Sequence, residues 1–258
     1  MKIKDVIATL EVFAPLPLQD GYDNAGLQVG VTEAEISGAL LCLDVTEAVL
    51  AEAVEKGCNM VVAHHPLLFH PLRQLSDTTY VERCVRYATL HDITIYAAHT
   101  NLDNSKGGVN FEIAERLGLQ EPVFLHDNGN GGGSGVIATL PHPMAAADFI
   151  DKVKKVLGVE KAMCNALLER PIKKVALCGG AGDFLLADAM QQGADAFLTG
   201  EMHYHQYFGM EQKVQIIVTG HYESEQYTPH LLQRILKQHH PTLTTYITDI
   251  NTNPIQIR

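Results

Sequence analysis

Apolar residues along this chain arrive in two alternating rhythms. Ile3, Val6, Ile7, Leu10 and Phe13 recur at helical spacing ahead of the breaker APLPLQDG, which predicts an amphipathic N-terminal helix. Asp5 and Glu11 interrupt the apolar pattern there, so this start does not read as a signal peptide. Short uninterrupted apolar runs follow at ALLCLDV, NMVVAHH and ITIYAAH, separated by helix-like stretches such as VTEAVLAEAVEKG. The second half repeats the rhythm with KKVALCGG, DAFLTGE and VQIIVTGH. Strand-like runs alternating with helices predict βαβ units, a largely parallel sheet and an α/β fold.

The halves also match residue by residue. Residues 39–65 and 175–201 align without a gap, with identities at Leu41/Leu177, Cys42/Cys178, Leu50/Leu186, Ala51/Ala187, Ala53/Ala189 and Gly57/Gly193. Further along, ITIYAAHTNLD ends in His99-x-x-x-Asp103 and QIIVTGHYESE in His221-x-x-x-Glu225. We expect two similar α/β halves related by an internal pseudo-repeat, with a metal site in the cleft between them. Separate convergence of two βαβ units is the alternative. The turn-rich DNGNGGGSG (127–135) is the natural connection, which puts the halves at 1–126 and 136–258 in one compact unit.

Composition narrows the partners. No apolar run approaches the roughly 18 residues of a membrane span, so no membrane contact and a cytoplasmic location are expected. The formal charge of −11 and the lack of a basic tail argue against duplex nucleic acid, whose phosphates need Lys and Arg. A small anionic substrate stays open if bound metals reverse the charge locally. Five cysteines without a Cys-x-x-Cys pair read as reduced, mostly buried thiols. Thirteen histidines are the unusual figure, because so many stand at strand ends.

Ligands of open parallel sheets bind beyond the carboxyl ends of the strands. His64 and His65 follow NMVVA, His99 follows ITIYAA, Glu201 follows AFLTG and His221 follows QIIVTG. Residues four apart on a helix or tight turn share a face, about 6 Å apart at Cβ, so His-x-x-x-Asp/Glu can bring imidazole and carboxylate to one ion or two. Imidazole and carboxylate without thiolate suit Zn, Fe, Mn, Co or Ni, and spacing does not choose among them. A single His-His or His-x-x-x-Glu is more often surface or core than ligand; three such features at equivalent strand ends favour a metal centre.

Other groups weigh less. His203 and His205 read as cleft-lining or merely solvent-exposed, and His239 and His240 as C-terminal helix decoration that suits the helix dipole. Gly179, Gly180 and Gly182 could offer backbone N–H groups to a phosphate, or simply turn the chain with Asp183 capping the next helix. Lys173 and Lys174 precede that strand and belong at its opposite end.

Taken together, DNAGLQVG (Asp23 to Gly30), VVAHHPLLF, AAHTNLDN, GGAG, TGE and GHYESE resemble the NGG-interacting-factor-like family, also called GTP cyclohydrolase 1 type 2 homologues or dinuclear metal-centre proteins. The resemblance covers essentially the whole chain. It implies two divalent transition-metal ions held by His64, His65, Asp103, His221 and Glu225, with Glu225 bridging and His99 an active-site neighbour. It also implies a toroidal homohexamer. Some members carry an inserted domain in mid-chain, where this sequence has only the Gly-rich stretch.

The expected function is a metal-dependent hydrolase of a nucleotide-like substrate, with GTP ring opening as the named candidate. Two divalent ions less the charges of Asp103 and Glu225 leave a positive focus for phosphates, and His99 or Glu201 could move protons. A non-catalytic metal-binding scaffold or adaptor, and a metal-dependent phosphoesterase, are the alternatives.

Overall fold

The computed structural model describes residues 1–256. The chain forms two compact units, residues 1–102 together with the segment from Tyr227 onward, and Asp103–Gln226. In the first, helix α1 (Ile3–Phe13) buries Ile3, Val6, Ile7 and Leu10 of the stripe its spacing predicts and leaves Phe13 half-buried. The Lys2 backbone N–H donates to Asp5 Oδ2 (2.8 Å) and closes the helix start. Strands β1 (Gly26–Val29), β2 (Ala39–Cys42), β3 (Met60–Ala63) and β4 (Thr94–Ala97) follow. Helices α2 (Glu47–Glu55), α3 (Tyr80–Leu90) and the short α4 (Thr100–Asp103) come after β2, β3 and β4.

The second unit holds α5 (Val109–Arg116), β5 (Gln120–Asp127), β6 (Gly133–Met144), α6 (Ala146–Leu157) and β7 (Met163–Cys164). It continues through β8 (Ile172–Cys178), α7 (Leu186–Gln191), β9 (Ala196–Thr199), β10 (Gln215–Val218) and α8 (His221–Glu225). The chain then returns to the first unit as α9 (Thr228–His239) and β11 (Thr245–Ile247).

The first sheet runs β1-β4-β3-β2-β11, parallel except for β1. Its inner strands β2, β3 and β4 are buried along their whole length, which is why they read as continuous apolar runs and not as alternation. The second sheet runs β5-β6-β8-β9-β10-β7 and is less parallel than expected. Only β8, β9 and β10 run parallel, flanked by antiparallel β5 and β6 on one side and β7 on the other. The short turn between β5 and β6 dictates the first of these pairings, since a tight hairpin can join only antiparallel neighbours.

The architecture is mixed α/β, and the two halves do repeat. Ala39↔Met60 through Cys42↔Ala63 has the same register as Val175↔Ala196 through Cys178↔Thr199, residue for residue along the ungapped alignment. The helices between end alike. Gly57 and Gly193 both take positive φ, and the next amides, of Cys58 and Ala194, donate to the carbonyls of Ala53 and Ala189.

Two expectations are corrected. Residues 127–135 do not mark the division of the chain: Asn128–Gly132 is the β5–β6 turn, held by Asn128 N–H on Gly132 O and Gly129 N–H on Asp127 Oδ1. The chain divides instead at Leu102/Asp103 and Gln226/Tyr227, because α9 and β11 complete the first sheet. The second match also slips by one residue. Thr94 and Gln215 open corresponding strands, and Thr100 and His221 open the helices that follow. His99 therefore corresponds to Gly220, and Thr100 is the counterpart of His221.

Candidate metal centre

In the first unit, three imidazoles gather past the carboxyl ends of β3 and β4. The ring centroids of His64 and His65 are 4.9 Å apart, and the His99 ring lies 5.4 Å and 5.5 Å from them. Leaving the strand frees adjacent histidines from pointing to opposite faces. Each ring is held at Nδ1. His64 donates to the Ala98 carbonyl oxygen (2.7 Å), His65 to Asp44 Oδ1 (2.7 Å) and His99 to Asp23 Oδ1 (2.7 Å).

The two carboxylates are themselves anchored. Thr252 donates to Asp44 Oδ2 (2.6 Å), and the Thr100 hydroxyl (2.5 Å) and backbone N–H (3.1 Å) to Asp23 Oδ2. Burial alone would raise the Asp23 carboxyl; hydrogen bonds from His99 and Thr100 outweigh it and hold the group down at about 2. Asp44 is likewise held below the usual range by His65 against the effect of burial. Both were missed in reading the sequence. Asp23 served only to mark a motif, and Asp44 stands 21 residues from the histidine it orients.

In the second unit, His221 Nδ1 donates to Glu201 Oε1 (2.8 Å), and His221 Nε2 stands 3.2 Å from Glu225 Oε2. Glu201 is thus placed to orient His221. A carboxylate stands at each nitrogen of the His221 ring, and at 3.2 Å the pairing of Nε2 with Oε2 calls for a proton or a cation between them. Glu225 is buried in α8 while Glu201 is exposed. Asp103, half-buried, ends α4, and its backbone carbonyl accepts from Asn110 Nδ2 (3.3 Å).

All four imidazoles are thus anchored to an oxygen at Nδ1, which leaves Nε2 as the outward nitrogen; for His221 that nitrogen faces Glu225. A histidine that binds metal through Nε2 has this arrangement, with an oxygen fixing tautomer and ring plane from behind. The donor set fits a divalent transition ion; it contains no thiolate. None of the five cysteines is in a disulfide among the described residues, and all but Cys164 are buried.

The glycine turn after β8 does not cradle phosphate. Its amides are committed: Gly179 to Asn110 Oδ1 (2.9 Å), Gly180 to Ser224 Oγ (3.0 Å) and Gly182 to Thr199 Oγ1 (3.0 Å). The glycines serve close packing instead. A Cβ on Gly180 would overlap Glu225 Oε1 and reach 3.3 Å from His221 Nε2. Nor does Asp183 cap α7; it pairs with the exposed His203 (2.5 Å), whose pKa it raises. His205 is exposed, and His240 does more than decorate its helix, meeting Thr9 Oγ1 through Nε2 at 2.8 Å. Among the described residues no helix is long and apolar enough to cross a membrane.

Comparison with known proteins finds relatives along the whole chain. The family model for Duf34/NIF3 (NGG1p interacting factor 3) matches residues 1–254. A Clostridium perfringens protein named GTP cyclohydrolase 1 type 2 homolog is 36% identical over 230 residues, covering 87% of each chain. A Campylobacter jejuni protein of the same name is 30% identical over 257 residues, or 99% of each. Among solved structures, a hypothetical protein of Staphylococcus aureus superposes with a TM-score of 0.92 at 28% identity, covering 100% of this chain and 99% of that one. With the match running from the first residue almost to the last, the chain belongs to the Duf34/NIF3 family.

Proposed function

We propose that this protein is a metal-dependent hydrolase of a nucleotide-like substrate, with two divalent transition ions held by His64, His65, Asp103, His221 and Glu225. The observation that carries the reading is the common Nδ1 anchoring of the imidazoles, which leaves each Nε2 to ligate. His64, His65 and Glu225 are a possible metal-binding group, each able to offer one ligand atom to a common ion. Glu225 is the bridging carboxylate in this reading, and Asp103 the second oxygen ligand.

Bound there, two divalent ions would supply an acidified water and positive charge facing the substrate. The chain's own residues do the rest. Asp44 and Glu201 keep His65 and His221 in the ligating tautomer. His99, outside the ligand set, has its Nδ1 proton committed to Asp23 and presents Nε2 to accept or return a proton. For a GTP-like substrate the carbon attacked is C8 of guanine. The names of the relatives support the substrate class. The family resemblance also supports a homohexamer, and the acidic, span-free chain a cytoplasmic protein.

Elemental analysis of protein purified without chelator, followed by a nucleotide turnover screen, tests the reading. About two transition ions per chain and consumption of GTP or a relative are expected. No metal bound or taken up would overturn the centre. A loaded protein that consumes no nucleotide would leave a metal-binding scaffold. A stable monomer in light scattering at micromolar concentration would remove the hexamer.

A further inference from the structure

The second unit contains a cavity of about 510 Å³ with a mostly apolar lining that includes Met163, Met202, Tyr204, Tyr207 and Phe208. Its size falls within the range of small-molecule pockets. Its place in the fold is informative. Met163 pairs with Val218 at the carboxyl end of β10, and Met202 directly follows Glu201, the residue that orients His221. The cavity thus runs along β7, from the carboxyl ends of β9 and β10, where the sheet presents its chemistry, toward Asn165 beside the amino end of β10.

Three features define what would fit. Tyr204 and Phe208 are exposed, 72% and 59%, although both are large and aromatic. Their ring centroids are 5.3 Å apart at an interplanar angle of 75°, which makes a corner with the His205 ring packed beside both and outside the cavity lining. A flat ring placed there stacks on one aromatic face and meets the other edge-on, the two preferred aromatic geometries. Met163 and Met202 add polarizable sulfur, which suits ring faces and edges. Lastly, the Tyr207 hydroxyl is buried with no hydrogen-bond partner among the described residues. An unpaired buried hydroxyl is costly, and a small turn of the Tyr207 ring toward the cavity would let a polar ring edge satisfy it.

We propose that this cavity binds the planar heterocyclic base of the substrate, with Tyr204 and Phe208 holding the ring and the Tyr207 hydroxyl hydrogen-bonding its polar edge. This rests on the nucleotide-like substrate proposed above and assigns the base to these residues. It assigns them binding alone; the chemistry stays with the metal ligands and His99.

Guanosine, which has the base without phosphates, is the probe. It is titrated calorimetrically into the full, metal-loaded chain and its variants. Tyr204→Ala should weaken guanosine about ten-fold, the scale of losing one stacked aromatic. Tyr207→Phe should weaken it about five-fold through the lost hydrogen bond. Val123→Ala, exposed and outside the cavity, is the control and should change nothing. If guanosine does not bind the wild type, or binds both tyrosine variants unchanged, the base site is wrong. GTP turnover in the same preparations separates this from the hydrolase reading. Guanosine binding through Tyr204 without consumption of GTP or any related nucleotide keeps the base site and sinks the hydrolase. GTP consumption with an unchanged KM in Tyr204→Ala does the reverse.

Discussion

Gly180 and Glu225 meet without room for a methyl group: a Cβ on Gly180 would overlap the carboxylate oxygen Oε1. Gly180 also takes φ +60°, a conformation that side chains resist. Gly180→Ala therefore has two effects that can be separated. The backbone strain should cost about 1–2 kcal/mol in denaturant unfolding. Displacement of Glu225 should weaken metal binding by roughly ten-fold or more in competition with a chelator. Gly193 provides the control, since it takes φ +71° with nothing near its Cβ position. Gly193→Ala should show the stability loss and keep the metal affinity.

Glu225→Gln keeps the side chain's shape and removes the charge that offsets repulsion between two cations. At least one ion per chain should be lost on desalting, as read by elemental analysis. Retention of two tightly held ions would exclude Glu225 as the bridge.

His99→Ala should behave in the opposite way. The ring lies beside those of His64 and His65, but in the proposed reading it transfers a proton and holds no ion, so both ions should stay. Turnover should fall by roughly 100- to 10,000-fold. Loss of a metal from this variant would make His99 a ligand.

Asp44→Asn tests the orientation of His65 from behind. The carboxylate that fixes the Nδ1 proton becomes an amide able to present either a donor or an acceptor. Metal affinity should drop about 10- to 100-fold with little change in secondary structure by circular dichroism. Unchanged affinity would mean that the Asp44 contact does not tune the site.

Asp23 sets an acid limit on stability. Its folded pKa of about 2 lies below the ordinary value of 3.8, so it stabilises the folded state above the unfolded pKa. That contribution, at most about 2 kcal/mol, is lost as the pH falls from about 4 toward 2. Denaturant midpoints of the wild type should therefore decline across that window. Asp23→Asn should start lower and lose this part of the decline.

Much of the architecture was legible because buried parallel strands leave uninterrupted apolar runs, and chemistry gathers where they end. The placement of His64, His65 and His221 just past strand ends could be read this way. What failed depended on contacts distant in sequence. DNGNGGGSG has a linker's composition, yet Asn128 and Asp127 use it to turn a hairpin. LLQRILKQ reads as any amphipathic helix, and nothing local tells that Leu231, Leu232, Ile235 and Leu236 belong under the first sheet. Aligning His99 with His221 matched like chemistry while the backbone register differed by one. Asp23 and Asp44 are distant carboxylates whose purpose appears only beside the rings they hold.

The return of the chain to its first sheet bears on the order of synthesis. The segment 103–226 is contiguous and leaves the ribosome with every strand of its own sheet. The earlier segment cannot finish. Until Thr245–Ile247 emerges and pairs with Ala39–Leu41, β2 presents an unpaired, fully apolar edge. The nascent chain thus carries a sticky flank through more than half of its translation, and a stall before residue 245 should favour aggregation or chaperone capture over release of a folded first unit.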